Sequence, residues 1–233
     1  DATYSALRER SVGLGVMGLH SLFQQKMIPI ESVMSKVWNK KIFEHIQKEV
    51  DQASKDLAEE RGACPDAADY GIKERFSNKT AIAPTASISI ICGGTSPGVE
   101  PIAANSFTHK TLSGSFNVRN KHLQKILEKY NKNDEETWSS ITTNQGSVLH
   151  LDFLTQQEKD VFKTAFEIDQ KWIIELGADR TPHISQAQSI NVFVPADIHK
   201  KELHLIHFQA WKKGLKSLYY CRSKSIQRAE NIN

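Results

Sequence analysis

Cysteine is scarce in this sequence, since the 233 residues contain only Cys64, Cys92 and Cys221. The three are far apart, so the chain has neither a Cys-x-x-Cys pair nor the ligand spacing of a zinc site. A low, odd number of cysteines argues against a disulfide-rich secreted domain and is typical of a reducing compartment. We therefore expect a cytoplasmic protein that binds no metal.

Long hydrophobic runs and a strong net charge are also missing. No stretch approaches the ~20 apolar residues that a membrane span needs, and no signal peptide is visible. The formal charge of +3, from 30 basic and 27 acidic residues, is too small to indicate nucleic acid as a main partner. The chain does have enough apolar residues for a core, including ten Phe and four Trp. We expect a globular protein that binds neither membranes nor nucleic acid.

Hydrophobic periodicity predicts alternating helices and strands. A long helix is expected from Ser32 to Arg61, with Gly62 at its end. Its apolar face repeats at steps of four and three and consists of Ile42, Ile46, Val50, Ala53 and Leu57. Thr155 and Glu158 form the sequence pattern of a capping box, before a helix that we expect to end at Gly177. The alternation is clearest in the C-terminal half, and it predicts the α/β class.

Short buried strands are predicted at Thr80–Ala83 and Ser189–Pro195, and a third near the C-terminal end. Asp197 is expected to cap the helix that joins the last two strands. No internal repeat or low-complexity linker divides the chain. We therefore expect residues 1–233 to form a single region.

A Gly13-x-Gly15-x-x-Gly18 sequence matches the dinucleotide-binding fingerprint formally. No apolar strand precedes it and no acidic residue follows about 20 positions later, as that fingerprint requires. We interpret these glycines as places where a helix approaches its neighbours closely.

Three histidines lie close together near the C-terminal end: His199, His204 and His207. Two of them share a helix face, but no further ligand stands at a suitable spacing. We expect partly buried histidines rather than a metal site.

The segment "PTAS" at Pro84–Ser87 follows a predicted strand and leads into a long loop rich in hydroxyl groups and glycine. In α/β folds, ligands lie beyond the C-terminal ends of strands, and backbone N–H groups in a turn bind phosphate. An ordinary turn stabilised by Ser and Thr side chains fits the same residues. The segment alone leaves both interpretations open.

Two adjacent phenols, Tyr219 and Tyr220, precede Cys221 in "LKSLYYCRS". A phenol with a pKa near 10 is a poor acid or base at neutral pH, but it can lose an electron and a proton together. Tyrosine is also common in strands for its packing. The residues by themselves do not decide between packing and radical transfer.

Several ordered motifs together resemble one family. "RSVGLGVMGLHSLF", "EERGACP", "TAIAPTASISIICGGTSPGVEP", "HKTLSGSFNVRNKHL" and "LKSLYYCRS" resemble, in this order, the C-terminal portion of the large, catalytic subunit of class I ribonucleotide reductases. The likeness covers essentially the whole chain and is strongest to bacteriophage forms. It implies the C-terminal part of a ten-stranded α/β barrel with surrounding helices, incomplete on its own.

The resemblance implies a phosphate site and a radical path. The loop would bind the phosphates of a ribonucleoside diphosphate through the Thr85 and Ser87 hydroxyls and the N–H groups of Ala86 and Ile88. Many relatives carry a hydroxyl residue where this chain has Ile88. Tyr220 would receive the oxidising equivalent from the diiron small subunit, and Tyr219 would pass it to a cysteine at the barrel centre. The implied site residues are Pro84, Thr85, Ala86, Ser87, Ile88, Tyr219 and Tyr220.

Parts of the family pattern are missing from this sequence. It contains no Asn-x-Cys-x-Glu motif and no match to the substrate-reducing cysteine pair or to the tail that accepts electrons from thioredoxin or glutaredoxin. The chain is therefore expected to bind no cofactor itself and to act with an upstream large-subunit segment, as a piece of a split enzyme or as a shortened chain. A different phosphate-binding barrel enzyme and a non-catalytic interaction fragment are the alternatives.

The relay carries a geometric requirement. Adjacent residues of a regular strand point to opposite faces, whereas radical transfer needs the two rings in contact. The relay therefore predicts a bend, a bulge or the end of the strand at Tyr219–Tyr220.

Overall fold

Helices predominate in the computed structural model, which describes residues 1–111 and 114–223. The helices are α1 (Ala2–Glu9), α2 (Leu19–Gln25), α3 (Val33–Arg61), α4 (Pro65–Ala68), α5 (Ile88–Ile91), α6 (Lys121–Lys129), α7 (Glu135–Thr143), α8 (Gln156–Val161), α9 (Gln170–Arg180) and α10 (Lys200–Lys212). The strands are β1 (Ser106–Thr111), β2 (Gly114–Arg119), β3 (Val192–Val194) and β4 (Cys221–Ser223), and a 3₁₀ turn spans Thr181–His183. Within the described ranges, no helix is both long and apolar enough to cross a membrane.

Four extended segments lie side by side and carry the parallel part of the fold: residues 12–14, 80–82, 186–194 and 219–223. We call them the parallel array. Single bridges join Leu14 to Thr80 and Ile82 to Gln188, so the predicted strand at 80–83 is reduced to isolated pairings. β3 and β4 pair regularly, with α10 as the crossover that parallel strands need. The α/β class is confirmed, and the described residues contain no closed barrel.

The motif "HKTLSGSFNVRN" forms most of an antiparallel hairpin. β1 and β2 pair in register from Ser106 with Arg119 to Thr111 with Gly114. Leu112 and Ser113 of the motif lie outside the described residues.

Two main hydrophobic cores divide the packing. The larger one lies between α2, α3, α9 and the parallel array, and it includes Phe23, Phe43 and Ile190. The second gathers α6, α7 and α8 around Trp138, whose side chain is 1% exposed. The larger core contains Ile82, which precedes the Pro84–Ser87 segment, and Leu218, which precedes the Tyr219–Tyr220 pair, packs against it.

Local helix signals were predicted correctly at several positions. The Ser32 hydroxyl accepts a hydrogen bond from the Ser35 N–H at the start of α3, and Gly62 ends that helix with φ 81°. The capping box at Thr155 and Glu158 is complete, with both reciprocal hydrogen bonds formed. These signals act over three or four residues, so they do not depend on the rest of the fold.

Two helix boundaries were predicted wrongly. The single helix expected from the Thr155 capping box to Gly177 is two helices, α8 and α9. Gly177 lies inside α9 rather than at its end, and a Cβ there would stand 2.8 Å from Ile190 Cδ1. The glycine thus allows α9 to approach the parallel array closely. Asp197 does not cap α10, because that role belongs to His199, whose Nδ1 accepts from the Lys201 N–H.

The buried face of α3 also differs from the predicted one. Ala53, expected on the apolar face, is exposed, whereas Asn39 and Phe43 are buried. The Asn39 side chain donates a hydrogen bond of 2.9 Å to the Leu176 carbonyl of α9, and Lys36 forms salt bridges with α9 carboxylates. Polar contacts with α9 therefore help to set the orientation of α3, and apolar periodicity does not report them.

The glycine fingerprint at 13–18 does not form a nucleotide site. The Gly18 N–H donates to the Ser96 carbonyl, and the Ser21 N–H donates to the Ser96 hydroxyl. The N–H groups of Gly18, Leu19 and Ser21 at the start of α2, where a phosphate would bind, are thus paired with the 96–98 loop. Close approach is the correct interpretation, although the glycines precede the helix: a Cβ at Gly15 would stand 2.7 Å from the Ala81 carbonyl oxygen.

Candidate functional site

The loop at Pro84–Ile88 turns sharply after the 80–82 segment. Thr85 has a positive φ of 52°, which is uncommon for a β-branched residue. Its hydroxyl oxygen accepts a hydrogen bond of 2.7 Å from the Gly98 N–H. A Cβ on Gly98 would stand 2.9 Å from the Ala83 carbonyl oxygen, so only glycine allows this approach. The 93–98 segment therefore braces the turn, and the Thr85 O–H proton stays available as a donor.

Consecutive backbone N–H groups follow Thr85. Among the described residues, none accepts a hydrogen bond from the N–H of Ala86, Ser87 or Ile88, and these three residues are exposed. Ser89 is different, because its buried hydroxyl donates to the Ala86 carbonyl at 3.0 Å. The loop thus presents three free N–H donors and the Ser87 hydroxyl on one exposed turn, which is the arrangement of an anion-binding nest.

A cavity of about 370 Å³ adjoins this loop, and sequence reasoning did not find it. Ala86 and Ile90 form one side, and the hairpin residue Phe107 forms another. Three polar lining residues are paired with one another, since the Asn120 amide group donates to Gln24 and to Asn105. The cavity is mostly apolar, and its walls come from segments far apart in the sequence.

The two tyrosines stand just before β4 begins. The Tyr219 N–H donates to the Ile190 carbonyl at 2.8 Å, and the Tyr220 carbonyl accepts from the Val192 N–H at 3.0 Å. The ring centroids are 4.1 Å apart at an interplanar angle of 50°. Of the three expected geometries (a bend, a bulge or a strand end), the structure has the strand end, because the pair lies just outside β4, and the two rings are in contact.

The electrostatic surroundings keep Tyr219 protonated. The neighbouring Tyr220 phenol raises the pKa of Tyr219 above its ordinary value, which is already near 10. The Arg222 guanidinium lies over the Tyr220 ring, 5.7 Å from the centroid. Loss of an electron from Tyr219 at neutral pH therefore has to be accompanied by loss of the phenol proton.

Both candidate sites flank the same stretch of the parallel array. The 80–82 segment, which leads into the loop, pairs with residues 186–189, and the tyrosines pair with the adjoining residues 190–192. The structure thus brings the loop and the tyrosine pair to neighbouring positions although more than 130 residues separate them in the sequence.

The predicted partial burial of the three C-terminal histidines is wrong. His199, His204 and His207 are all exposed rather than partly buried. His199 caps α10, the His204 ring stacks on Phe208, and His207 Nδ1 is hydrogen-bonded to the Leu203 carbonyl. In the described part of the chain, no three His, Cys, Asp or Glu side chains gather in a way that could hold a metal ion.

A family model described as ribonucleotide reductase, barrel domain, matches residues 1–74 and 66–221. The chain belongs to the ribonucleotide reductase family. The ribonucleoside-diphosphate reductase large subunit of Invertebrate iridescent virus 6 is 49% identical over 236 residues, which cover 100% of this chain and 24% of that protein. The large subunit of Invertebrate iridescent virus 3 is 46% identical over 235 residues, covering 100% and 37%.

A solved ribonucleotide reductase has the same fold. The Actinobacillus ureae class Id alpha subunit superposes with a TM-score of 0.88 at 37% identity, covering 98% of this chain and 42% of that one. This chain therefore spans between about a quarter and two fifths of the length of these relatives. The family resemblance is confirmed, whereas the special likeness to bacteriophage forms stays a prediction.

Proposed function

We propose that this chain forms part of the large subunit of a ribonucleoside-diphosphate reductase, which reduces ribonucleotides to deoxyribonucleotides by a radical mechanism. In this proposal it supplies the substrate-phosphate loop and a tyrosine relay, and an upstream segment of the large subunit supplies the catalytic cysteines. The observation that carries the proposal is the contact of the Tyr219 and Tyr220 rings, 4.1 Å apart, in a chain of this family.

The loop at 84–88 would hold the phosphates of the substrate. Three free N–H groups and the Ser87 hydroxyl face solvent together, and this arrangement supports anion binding without a cation. The Thr85 hydroxyl adds a donor, since its oxygen already accepts from Gly98. The Ile88 side chain supplies no polar contact, so its N–H is the only group that this residue offers.

The tyrosine pair would move one oxidising equivalent towards the catalytic cysteine. A radical on Tyr220, generated through the small subunit, takes a hydrogen atom from the Tyr219 phenol, which leaves Tyr220 as a phenol and Tyr219 as the radical. Tyr219 then takes a hydrogen atom from the cysteine thiol and returns to a phenol. The raised pKa of Tyr219 supports this coupled transfer, because the proton does not leave alone at neutral pH.

The remaining parts of the proposal concern partners. A diiron small subunit generates the radical, and thioredoxin or glutaredoxin supplies reducing equivalents through a cysteine pair outside this chain. The substrate is a ribonucleoside diphosphate, and the enzyme acts in the cytoplasm.

Substitution of Tyr219 by Phe tests the proposal in the assembled reductase with its small subunit and reductant. Phenylalanine keeps the ring but has no O–H to oxidise, so we expect deoxyribonucleotide formation to be abolished while assembly stays intact. Tyr70→Phe is the matched control, because Tyr70 is 83% exposed and remote from the pair in sequence. Turnover retained in Tyr219→Phe would reject the relay.

A further inference from the structure

Glu100 carries a buried carboxyl group that neither the loop nor the ring pair uses directly. The residue is 8% exposed, and its Oε1 accepts a hydrogen bond from the side-chain amide of Asn191, a residue that is 1% exposed. Such a buried group is costly unless it is paired, so its retention needs a partner. The pairing of Glu100 with Asn191 fixes the orientation of the Asn191 carboxamide, because only the NH₂ end can donate to the carboxyl oxygen.

The other end of Asn191 holds Tyr220. Asn191 Oδ1 accepts a hydrogen bond of 2.9 Å from the Tyr220 N–H. A flipped carboxamide would direct its NH₂ group at the Tyr220 N–H, so the contact with Tyr220 would be lost, and it would direct its oxygen at Glu100, whose ionised carboxylate has no proton to donate. Glu100 thus selects the amide orientation that fixes the backbone of Tyr220.

Arg222 completes the surroundings of the pair. Its charge acts on the Glu100 carboxyl and its guanidinium lies over the Tyr220 ring. Glu100 therefore contacts Tyr220 through Asn191 and is coupled electrostatically to the cation that lies over the Tyr220 ring.

The segment Gly98–Glu100 joins the two candidate sites. At one end the Gly98 N–H donates to the Thr85 hydroxyl in the phosphate loop, and at the other Glu100 contacts Asn191. Val99 between them is buried in the main core. A substitution at Glu100 therefore changes the support of Tyr220 while the contact with the phosphate loop remains.

We propose that Glu100 is a positioning residue for the Tyr219–Tyr220 pair, which orients Asn191 so that its side-chain oxygen holds the Tyr220 backbone and keeps the two rings in contact. The inference rests on the proposed function, since ring contact matters for catalysis only if the pair transfers a radical. It assigns no bond-making step to Glu100.

The test uses the assembled reductase with 3-aminotyrosine at position 219, where the more easily oxidised ring traps the radical that Tyr220 delivers. The electron paramagnetic resonance signal reports the yield of the trapped radical. In Glu100→Leu we expect this yield to fall by roughly tenfold or more, because small misplacements of reacting groups have effects of that size. Glu100→Gln keeps an acceptor for Asn191 and should restore most of the yield.

Steady-state kinetics of the same variants with Tyr219 in place give a second readout. Glu100→Leu should lower kcat by a similar factor and leave KM for the ribonucleotide within about twofold, because the Gly98 contact with Thr85 is unchanged. Glu158→Gln is the matched control, since Glu158 is a buried glutamate of the second core. Its radical yield should equal that of the parent enzyme.

A double variant protects the test against misfolding. Replacing a buried polar pair by apolar residues of similar volume is often neutral for stability, so Glu100→Leu with Asn191→Leu should assemble even if a single variant does not. It leaves the Tyr220 N–H without its acceptor, and its radical yield should be as low as that of Glu100→Leu and no lower.

The outcomes separate the two proposals. A radical at position 219 in the parent enzyme, with parent-level yields in Glu100→Leu or the double variant, would overturn the role of Glu100 and leave the relay standing. No radical at position 219 in the parent enzyme would reject the relay and with it the role of Glu100.

Discussion

Glu100 and Glu158 are both buried, yet their pKa values move in opposite directions. Burial raises the pKa of Glu100 to about 7, and Arg222 offsets only part of that rise. Burial also acts to raise the pKa of Glu158, but the hydrogen bonds from Thr155 and Tyr130 outweigh it and leave the pKa lowered. Replacing each glutamate by glutamine should therefore change the free energy of unfolding, and the two changes should depend on pH in opposite ways.

The expected size of the stability change in Glu100→Gln follows from the pKa of Glu100. The group titrates near 4.5 in the unfolded chain and near 7 in the folded one, so the folded state binds the proton more tightly. The stability that this proton confers is fully present below pH 4.5 and is lost as the pH rises through 7. A shift of about 2.5 units corresponds to about 3 kcal/mol. Glu100→Gln has no proton to lose, so relative to wild type it should gain about 3 kcal/mol between pH 4.5 and pH 8.

Glu158→Gln is the control with the opposite sign. A lowered folded-state pKa means that the stability from the carboxylate is present above the unfolded pKa and is lost as the pH falls through the folded one. This variant should have a lower free energy of unfolding than wild type at pH 7, and the difference should become smaller as the pH falls. Urea unfolding, followed by tryptophan fluorescence between pH 4.5 and 8, measures the free energy of unfolding of both variants and of wild type. The same pH dependence for the two variants, or a loss of stability in Glu100→Gln at pH 8, would refute the reasoning.

Two further predictions concern the supports of the site. Gly98→Ala places a Cβ 2.9 Å from the Ala83 carbonyl oxygen at a φ of +47°. We therefore expect the free energy of unfolding to fall by about 1–2 kcal/mol and the KM for the ribonucleotide to rise. An unchanged KM would contradict the role of the 93–98 segment in holding the loop. Ser32→Ala removes the N-terminal cap of α3 and should cost about 1 kcal/mol in the same urea assay, with kcat and KM unchanged; an unshifted unfolding midpoint would contradict it.

Local chemistry explains which parts of the fold could be predicted from the sequence. The bounds of α3 and the capping box at Thr155 and Glu158 depend on residues a few positions apart, and they were predicted correctly. Gly177 was misassigned because a glycine that ends a helix and a glycine that allows close packing look alike in sequence. Only the approach of Ile190, from a distant segment, distinguishes the two.

In the candidate site, too, features carried by adjacent residues could be predicted, and contacts between distant residues could not. The tyrosine pair and the loop were found because their chemistry is concentrated in adjacent residues. The requirement for ring contact predicted an interruption of regular strand geometry at Tyr219–Tyr220. Glu100 and Asn191 were missed because 91 positions separate them, and the family motif that contains Glu100 does not indicate a contact with Asn191. Their burial and mutual hydrogen bond exist only in the folded chain, so no local pattern indicates them.

The order of radical transfer tests the central claim most directly. We expect 3-aminotyrosine at position 219 to give no radical signal in the assembled reductase when Tyr220 is replaced by Phe. Placed at position 220, the same probe should give its signal even when Tyr219 is replaced by Phe, because Tyr220 stands first in the relay. A signal at 219 without the Tyr220 phenol, or no signal at 220 in the otherwise unsubstituted enzyme, would contradict a relay that passes from Tyr220 to Tyr219.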